Sequence, residues 1–128
     1  MKITFAEGLA KAIYDSLAAD ARVMLIGSGF MGLNPVAQKT LEPLLKDFAE
    51  RIFVTPISEL GLAGAGTGAA MCGQRPLVDL STGSFIFQAY PQVVNEAANI
   101  HYMSGGQTSV PVTFHCLAGM RGGGAAQH

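Results

Sequence analysis

Glu59 heads the stretch TPISELGLAGAGTGAAMCG, residues 55–73, in which no other side chain carries a charge and most are glycine, alanine or leucine. A lone carboxylate in apolar surroundings is suited to holding a proton or sharing one with a bound base, because low polarity disfavours its ionised form. The same position also suits an ordinary first-turn acid favoured by the helix dipole. Spacing alone leaves both readings open. The other reactive candidates are Ser28, Asp79, His115 and His128. His115 ends an apolar run and reads as structural, whereas His128 follows a glycine-rich loop, a common setting for functional histidines. There is no HExxH, CxxC, GxSxG or phosphate-loop pattern, so zinc, hydrolase and phosphate-cradle chemistry have no support.

GSGFMG, Gly27 to Gly32, fits the GxGxxG dinucleotide pattern directly after an expected strand. Its context departs from that motif. Leu33-Asn34-Pro35 separates the last glycine from the next helix, and the next strand ends in Thr55-Pro56 rather than in an acid for a ribose hydroxyl. The stretch reads first as a glycine turn, then as a cofactor-facing loop of another kind, and last as a nucleotide site.

These residues must be held by elements that the hydrophobic pattern predicts. ITFAEGLAKAIYDSLAAD is an amphipathic helix with a Thr4/Glu7 capping box and a stripe of Phe5, Leu9, Ile13 and Leu17. Val23–Ile26 is a short apolar run suited to a strand buried on both faces. Asn34-Pro35 opens a second helix with Leu41, Leu44, Leu45 and Phe48 on one side, and Arg51–Val54 is the next strand. Ser58 caps a helix whose first turn contains Glu59 and which ends near Cys72-Gly73. A strand at Pro76–Leu80, a helix at about 84–101 and a strand at Val110–His115 follow. Helices alternating with buried strands predict an α/β fold: a mainly parallel sheet with helices on both faces. Glu59 then lies just past a strand's carboxyl end, where such sheets bind ligands.

The Glu59 helix contains Gly61, Gly64, Gly66 and Gly68, each costing about 1 kcal/mol relative to alanine. Gly64 and Gly68, beside Ala65 and Ala69, make one face nearly bare backbone. Either another helix approaches closely there, or the glycines serve a tight helix–sheet contact within the chain. Beyond Glu59 the only charged residues are Arg75, Asp79, Glu96 and Arg121, few for a half-chain facing water. Much of that half is therefore expected to be buried against another chain or a further part of its own. A formal net charge of −1 gives no electrostatic reason to expect nucleic acid or an anionic membrane as a partner. The charge-free stretches are interrupted by Gly, Gln, Asn, Ser and Pro, so none reads as a membrane span. Cys72 and Cys116 read as buried free thiols in a reducing compartment. With no signal-peptide pattern, the expectation is a cytoplasmic protein, or an organellar matrix protein in its mature form. Residues 1–128 read as one domain, incomplete at its C-terminal end, because GGGAAQH leads to no closing element.

RIFVTPISELGLAGAGTGAAMCGQRPLVDL, FIFQAYPQVVNEAANIHYMSGGQTSVPV and GGGAAQH together resemble the beta subunit of the decarboxylase component of 2-oxo acid dehydrogenases. This thiamine-diphosphate-dependent family includes the pyruvate, branched-chain 2-oxo acid and acetoin enzymes. The likeness runs from about Arg51 to His128 and is weaker but collinear before that. It implies a transketolase-like pyrimidine-binding domain. It also implies that Glu59, in TPISE, hydrogen-bonds a ring nitrogen of the cofactor's aminopyrimidine and so favours its imino tautomer. By the same resemblance Phe85 stacks on the pyrimidine, Ile57 lines its pocket, and Gln88 belongs to the cofactor-binding set. His128, in AAQH, handles the reaction intermediate and its transfer to a lipoyl arm. The implied reaction is oxidative decarboxylation of a pyruvate-like 2-oxo acid with acyl transfer to lipoyl-protein. The implied partners are an alpha subunit holding the diphosphate and magnesium, a second beta subunit in a heterotetramer, and a lipoyl-bearing acyltransferase core. One departure is Ser28, where the family usually has an acid of a polar relay between active sites. That departure keeps a non-catalytic assembly subunit of the same fold as an alternative, beside an acetoin dehydrogenase beta subunit.

Overall fold

A computed structural model of the chain describes residues 2–27 and 35–118, leaving aside the side chains of residues 35–40. The first helix, α1 (Phe5–Ala19), starts at the predicted capping box: Thr4 Oγ1 accepts from the Glu7 N–H at 3.2 Å, and the Thr4 N–H donates to Glu7 Oε2 at 2.7 Å. Strand β1 (Val23–Gly27), helix α2 (Pro35–Phe48) and the edge strand β2 (Ile52–Val54) follow, with a short 3₁₀ turn before β2. Helix α3 (Glu59–Met71) leads to β3 (Arg75–Thr82), a 3₁₀ turn Gly83–Phe85, α4 (Ile86–Pro91), a π-helical turn Gln92–Ala97, α5 (Ile100–Met103) and β4 (Thr113–Leu117). Among the described residues every strand pairing is parallel, in the order β2-β1-β3-β4. The predicted α/β class holds, with a helical layer on each face of the sheet.

Strand alternation divides the core in two. Leu25 and Leu77 face α1 and α2, joining Ile13, Leu17, Leu41 and Leu44. Ile26 and Val78 face the other way, joining Leu62 and Ala63 of α3 and Ala89 of α4. Full burial of side chains such as Leu17, Leu25, Leu44 and Leu80 contributes roughly 1.5–3 kcal/mol each. The helices change face where the strand order reverses, between β1 and β3. That reversal is the switch point beyond which open parallel sheets form a ligand crevice.

Several expectations need correction. Phe5, in the first turn of α1, is 90% exposed, whereas Ile13 and Leu17 of the same stripe, further along the helix, are buried. The helix expected over 84–101 is not continuous. Pro91 supplies no N–H to the helical ladder, the next turn widens to π geometry, and a break precedes α5. Strand β4 starts at Thr113 rather than Val110, because Pro111 interrupts the ladder and the Val112 N–H folds back onto the Val110 carbonyl at 2.8 Å. His115 therefore lies inside β4 rather than at its end. Both cysteines are free, but neither is buried: Cys72 is exposed at the end of α3 and Cys116 is half-buried. Among the described residues no helix is long and apolar enough to cross a membrane.

Candidate functional site

Glu59 is the first residue of α3. Ser58 caps that helix, its Oγ accepting from the Gly61 N–H at 3.3 Å and its carbonyl from the Leu62 N–H at 2.8 Å. Gly73, at φ 91, ends the helix in a left-handed turn, with the Gln74 N–H bonded to the Ala69 carbonyl and the Gly73 N–H to that of Ala70. The buried positions of α3 are Leu62, Ala63, Gly66, Thr67 and Ala70. Glu59 stands three and four residues before Leu62 and Ala63, so it lies on the helix face that packs on the sheet. Its side chain is half-buried and, among the described residues, accepts no hydrogen bond and forms no ion pair. Four residues earlier, the hydroxyl of Thr55 is buried without a hydrogen-bond partner.

Phe85 and Gln88 lie at the same end of the sheet. The two helices α3 and α4 both begin beyond the carboxyl ends of their strands and run back along one face. The Cα of Gly64 faces the Gln92 side chain, where an added Cβ would lie 3.7 Å from Cδ. Glu59 is five residues before Gly64 on α3, and Gln88 four before Gln92, each roughly 7 Å of helix away from that contact. Glu59, Phe85 and Gln88 thus all lie past the carboxyl ends of their strands, on the two helical segments that meet at Gly64 and Gln92. Phe85 is half-buried and Gln88 exposed. Ile57 is 78% exposed in the loop before Glu59. The hydroxyl of Ser84, next to Phe85, is buried without a partner, as is that of Thr67 inside α3.

Of the interior glycines of α3, it is Gly66 that meets the sheet, where an added Cβ would run into Val78 Cγ2. An intrachain contact therefore accounts for Gly66. Gly68 has nothing within 4 Å of its would-be Cβ and is exposed. Large apolar side chains are exposed on the following helical run: Phe87 at 72%, Tyr90, Val94 and Tyr102 at 90%.

Sequence reasoning set Asp79 and His115 apart, and the structure pairs them. They are register partners on β3 and β4, with Gly27 opposite Asp79 on β1. His115 Nδ1 lies 3.0 Å from Asp79 Oδ1; a carboxylate has no proton to give, so Nδ1–H donates. The same oxygen accepts from the Ser81 N–H at 3.1 Å. The signal was a lone acid inside the apolar run PLVDL, which needs a buried partner, but only the β3–β4 register shows which. Burial first, then the nearby Asp79 carboxylate, push the Cys116 thiol above its usual pKa. Ser28, His128 and most of GSGFMG lie outside the described residues.

The transketolase pyrimidine-binding domain family matches residues 1–128. The chain is 40% identical over 129 residues to the pyruvate dehydrogenase E1 component subunit beta of Rickettsia conorii, covering 100% of this chain and 39% of that protein. It has the same identity, over 100% of its length and 36% of the relative, to the mitochondrial protein of that name from Bos taurus. For the Rhizobium meliloti protein the identity is again 40%, over 98% of this chain and 27% of the relative. The chain thus spans well under half the length of these relatives. A four-stranded parallel α/β sheet, a solitary acid at the helix start beyond its edge strand and a family match over every residue lead to one conclusion: this chain belongs to the transketolase pyrimidine-binding domain family.

Proposed function

We propose that this chain supplies the aminopyrimidine-binding side of a thiamine-diphosphate site, in the beta subunit of a dehydrogenase that decarboxylates a pyruvate-like 2-oxo acid and passes the acyl group to lipoyl-protein. The observation that carries the reading is Glu59: a half-buried carboxylate with no hydrogen-bond or ion-pair partner among the described residues, at the head of α3 beyond the sheet. A carboxylate partly shielded from water and left unpaired gains from a partner that completes it, so a ligand that can share its proton is favoured. The surroundings suit a heteroaromatic ring. Phe85 and Ile57 offer apolar faces, and the buried hydroxyls of Thr55 and Ser84 still lack partners at the same end.

When bound, thiamine diphosphate supplies an electron sink for breaking the bond to the substrate carboxylate. The chain's own residues hold and tune it. Glu59 would share a proton with a ring nitrogen, Phe85 would stack on the ring, Ile57 would line its pocket and Gln88 would belong to the set that holds it. His128, outside the described residues, would serve proton and acyl transfer, as the resemblance implies. An alpha subunit holds the diphosphate and magnesium, a second beta subunit completes a heterotetramer, and a lipoyl-bearing acyltransferase core receives the acyl group, in the cytoplasm or an organellar matrix. The exposed Phe87, Tyr90, Val94 and Tyr102 support burial of this half against such a partner.

The test is Glu59→Gln in the enzyme assembled with its alpha subunit. The amide is isosteric, so folding and assembly are expected to persist while turnover falls about 10²–10⁴-fold, as for a lost acid–base group. Near-normal turnover would reduce Glu59 to a first-turn acid and overturn the reading. A panel of pyruvate, branched-chain 2-oxo acids and acetoin, assayed on the unaltered enzyme, identifies the substrate.

A further inference from the structure

We infer that Asp79 and His115 form a clamp that positions the Phe85 turn, and thereby sets affinity for the cofactor's ring; the inference rests on the thiamine-diphosphate reading above. The clamp begins with a defect in the sheet. Asp79 pairs with His115, but the next pairing is Thr82 with Leu117, so three residues of β3 span two of β4. One residue is extra, and the strand must bulge. Bulges near sites re-aim the side chains that follow.

The bulge is held at Ser81, whose φ of 62° makes it the only non-glycine in the left-handed region among the described residues. A serine stays there only if its surroundings over-determine it. Asp79 does so: its Oδ1 accepts the Ser81 N–H at 3.1 Å, closing a two-residue side-chain turn. Asp79 in turn cannot swing away. It is 4% exposed, its Oδ1 also accepts from His115 Nδ1 at 3.0 Å, and β1 presses on it at Gly27. A Cβ at Gly27 would stand 2.9 Å from both the Cβ and the carbonyl oxygen of Asp79. The chain leaving the bulge stays tight to β4, since a Cβ on Gly83 would approach the Leu117 carbonyl to 3.3 Å. Two residues later comes Phe85. One buried oxygen therefore fixes Ser81, Ser81 fixes the bulge, and the bulge aims Ser84 and Phe85 at the crevice beyond β1 and β3. Asp79 and His115 act through other residues and are positioning residues.

The experiment uses the enzyme assembled with its alpha subunit. Asp79→Ala removes the acceptor and His115→Phe the donor, whereas Asp79→Asn and His115→Asn keep an oxygen and an N–H near those places. In Asp79→Ala and His115→Phe, amide hydrogen exchange over residues 81–88 is expected to accelerate. Calorimetry with thiamine diphosphate and magnesium should show affinity weakened about five- to tenfold, the equivalent of one misplaced aromatic contact. At saturating cofactor kcat should stay within about twofold, because Glu59 is untouched. The two Asn variants should resemble the unaltered enzyme. Faster exchange with unchanged affinity would overturn the inference, and so would Asn variants as weak as Asp79→Ala. Should Asp79→Ala fail to assemble, His115→Phe makes the same test with the Asp79–Ser81 bond in place. Normal turnover in Glu59→Gln would instead overturn the cofactor reading while leaving the exchange result to stand.

Discussion

Alanine at Gly66 is expected to destabilise the protein, while alanine at Gly68, half a turn further along α3, is expected to stabilise it. Both glycines are interior to the helix, where alanine is normally favoured by about 1 kcal/mol. At Gly68 nothing lies within 4 Å of the new methyl group, so most of that gain should appear. At Gly66 the methyl falls on Val78 Cγ2, with Val112 Cγ2 at 3.7 Å behind it. Val78 is fully buried on an interior strand, and its β-branched side chain has no other rotamer to adopt cheaply. The helix must lift off the sheet, and overpacking of this kind costs about 1–3 kcal/mol. Subtracting the helix-propensity gain leaves a net loss of up to about 2 kcal/mol. The two variants should therefore differ by the overpacking cost, about 1–3 kcal/mol, in urea unfolding at an unchanged m-value. Val78→Ala, which removes the struck methyl, should make the Gly66→Ala change less costly than in the unaltered background, a coupling measured by the double-mutant cycle. Equal stability of the two alanine variants, with no coupling to Val78, would refute this seating of α3 on β3.

Gly64→Leu is expected to weaken subunit assembly while leaving secondary structure largely intact, because it roughens the α3 face beside Gln92; an unchanged oligomer by light scattering would count against a partner there. The Asp20 carboxyl is held down to about 2, first by the Arg22 side-chain hydrogen bond and then by the Arg22 backbone N–H, with the charges of Arg22 and Arg75 adding to the effect. A lowered folded-state pKa means this contribution is complete above the unfolded value of about 3.9 and is lost as pH falls through about 2. Urea midpoints measured from pH 5 down to 2 should thus fall less steeply in Asp20→Asn than in the unaltered protein, and parallel curves would refute the linkage. With a thiol reagent near neutral pH, exposed Cys72 should react well before Cys116, whose thiol is half-buried and raised in pKa; mass mapping of the first labelled site checks the order.

Where the chain's local pattern is strong, the sequence was enough. The Thr4/Glu7 box, the Ser58 cap and the Gly73 stop are local hydrogen-bonding and φ requirements, complete within a few residues, and each stands where the pattern put it. The alternation of buried strands with amphipathic helices likewise determined the α/β class and placed Glu59 past a strand end. Prolines blurred the boundaries at 91 and 111, since a missing N–H is compensated in ways that depend on neighbouring chain: a π turn in one case, a late strand start in the other.

What only the tertiary structure decided is which distant residues meet. No local rule joins Asp79 to His115 across 36 residues, because their contact depends on the register of β3 against β4. Ser81 could not be known to adopt a positive φ, a conformation its own side chain disfavours and the neighbouring strands impose. The glycines of α3 read alike along the chain. Packing alone separates Gly66, which Val78 forbids to grow, from Gly68, which faces open space, because a helix has no preferred inward side until a sheet lies against it.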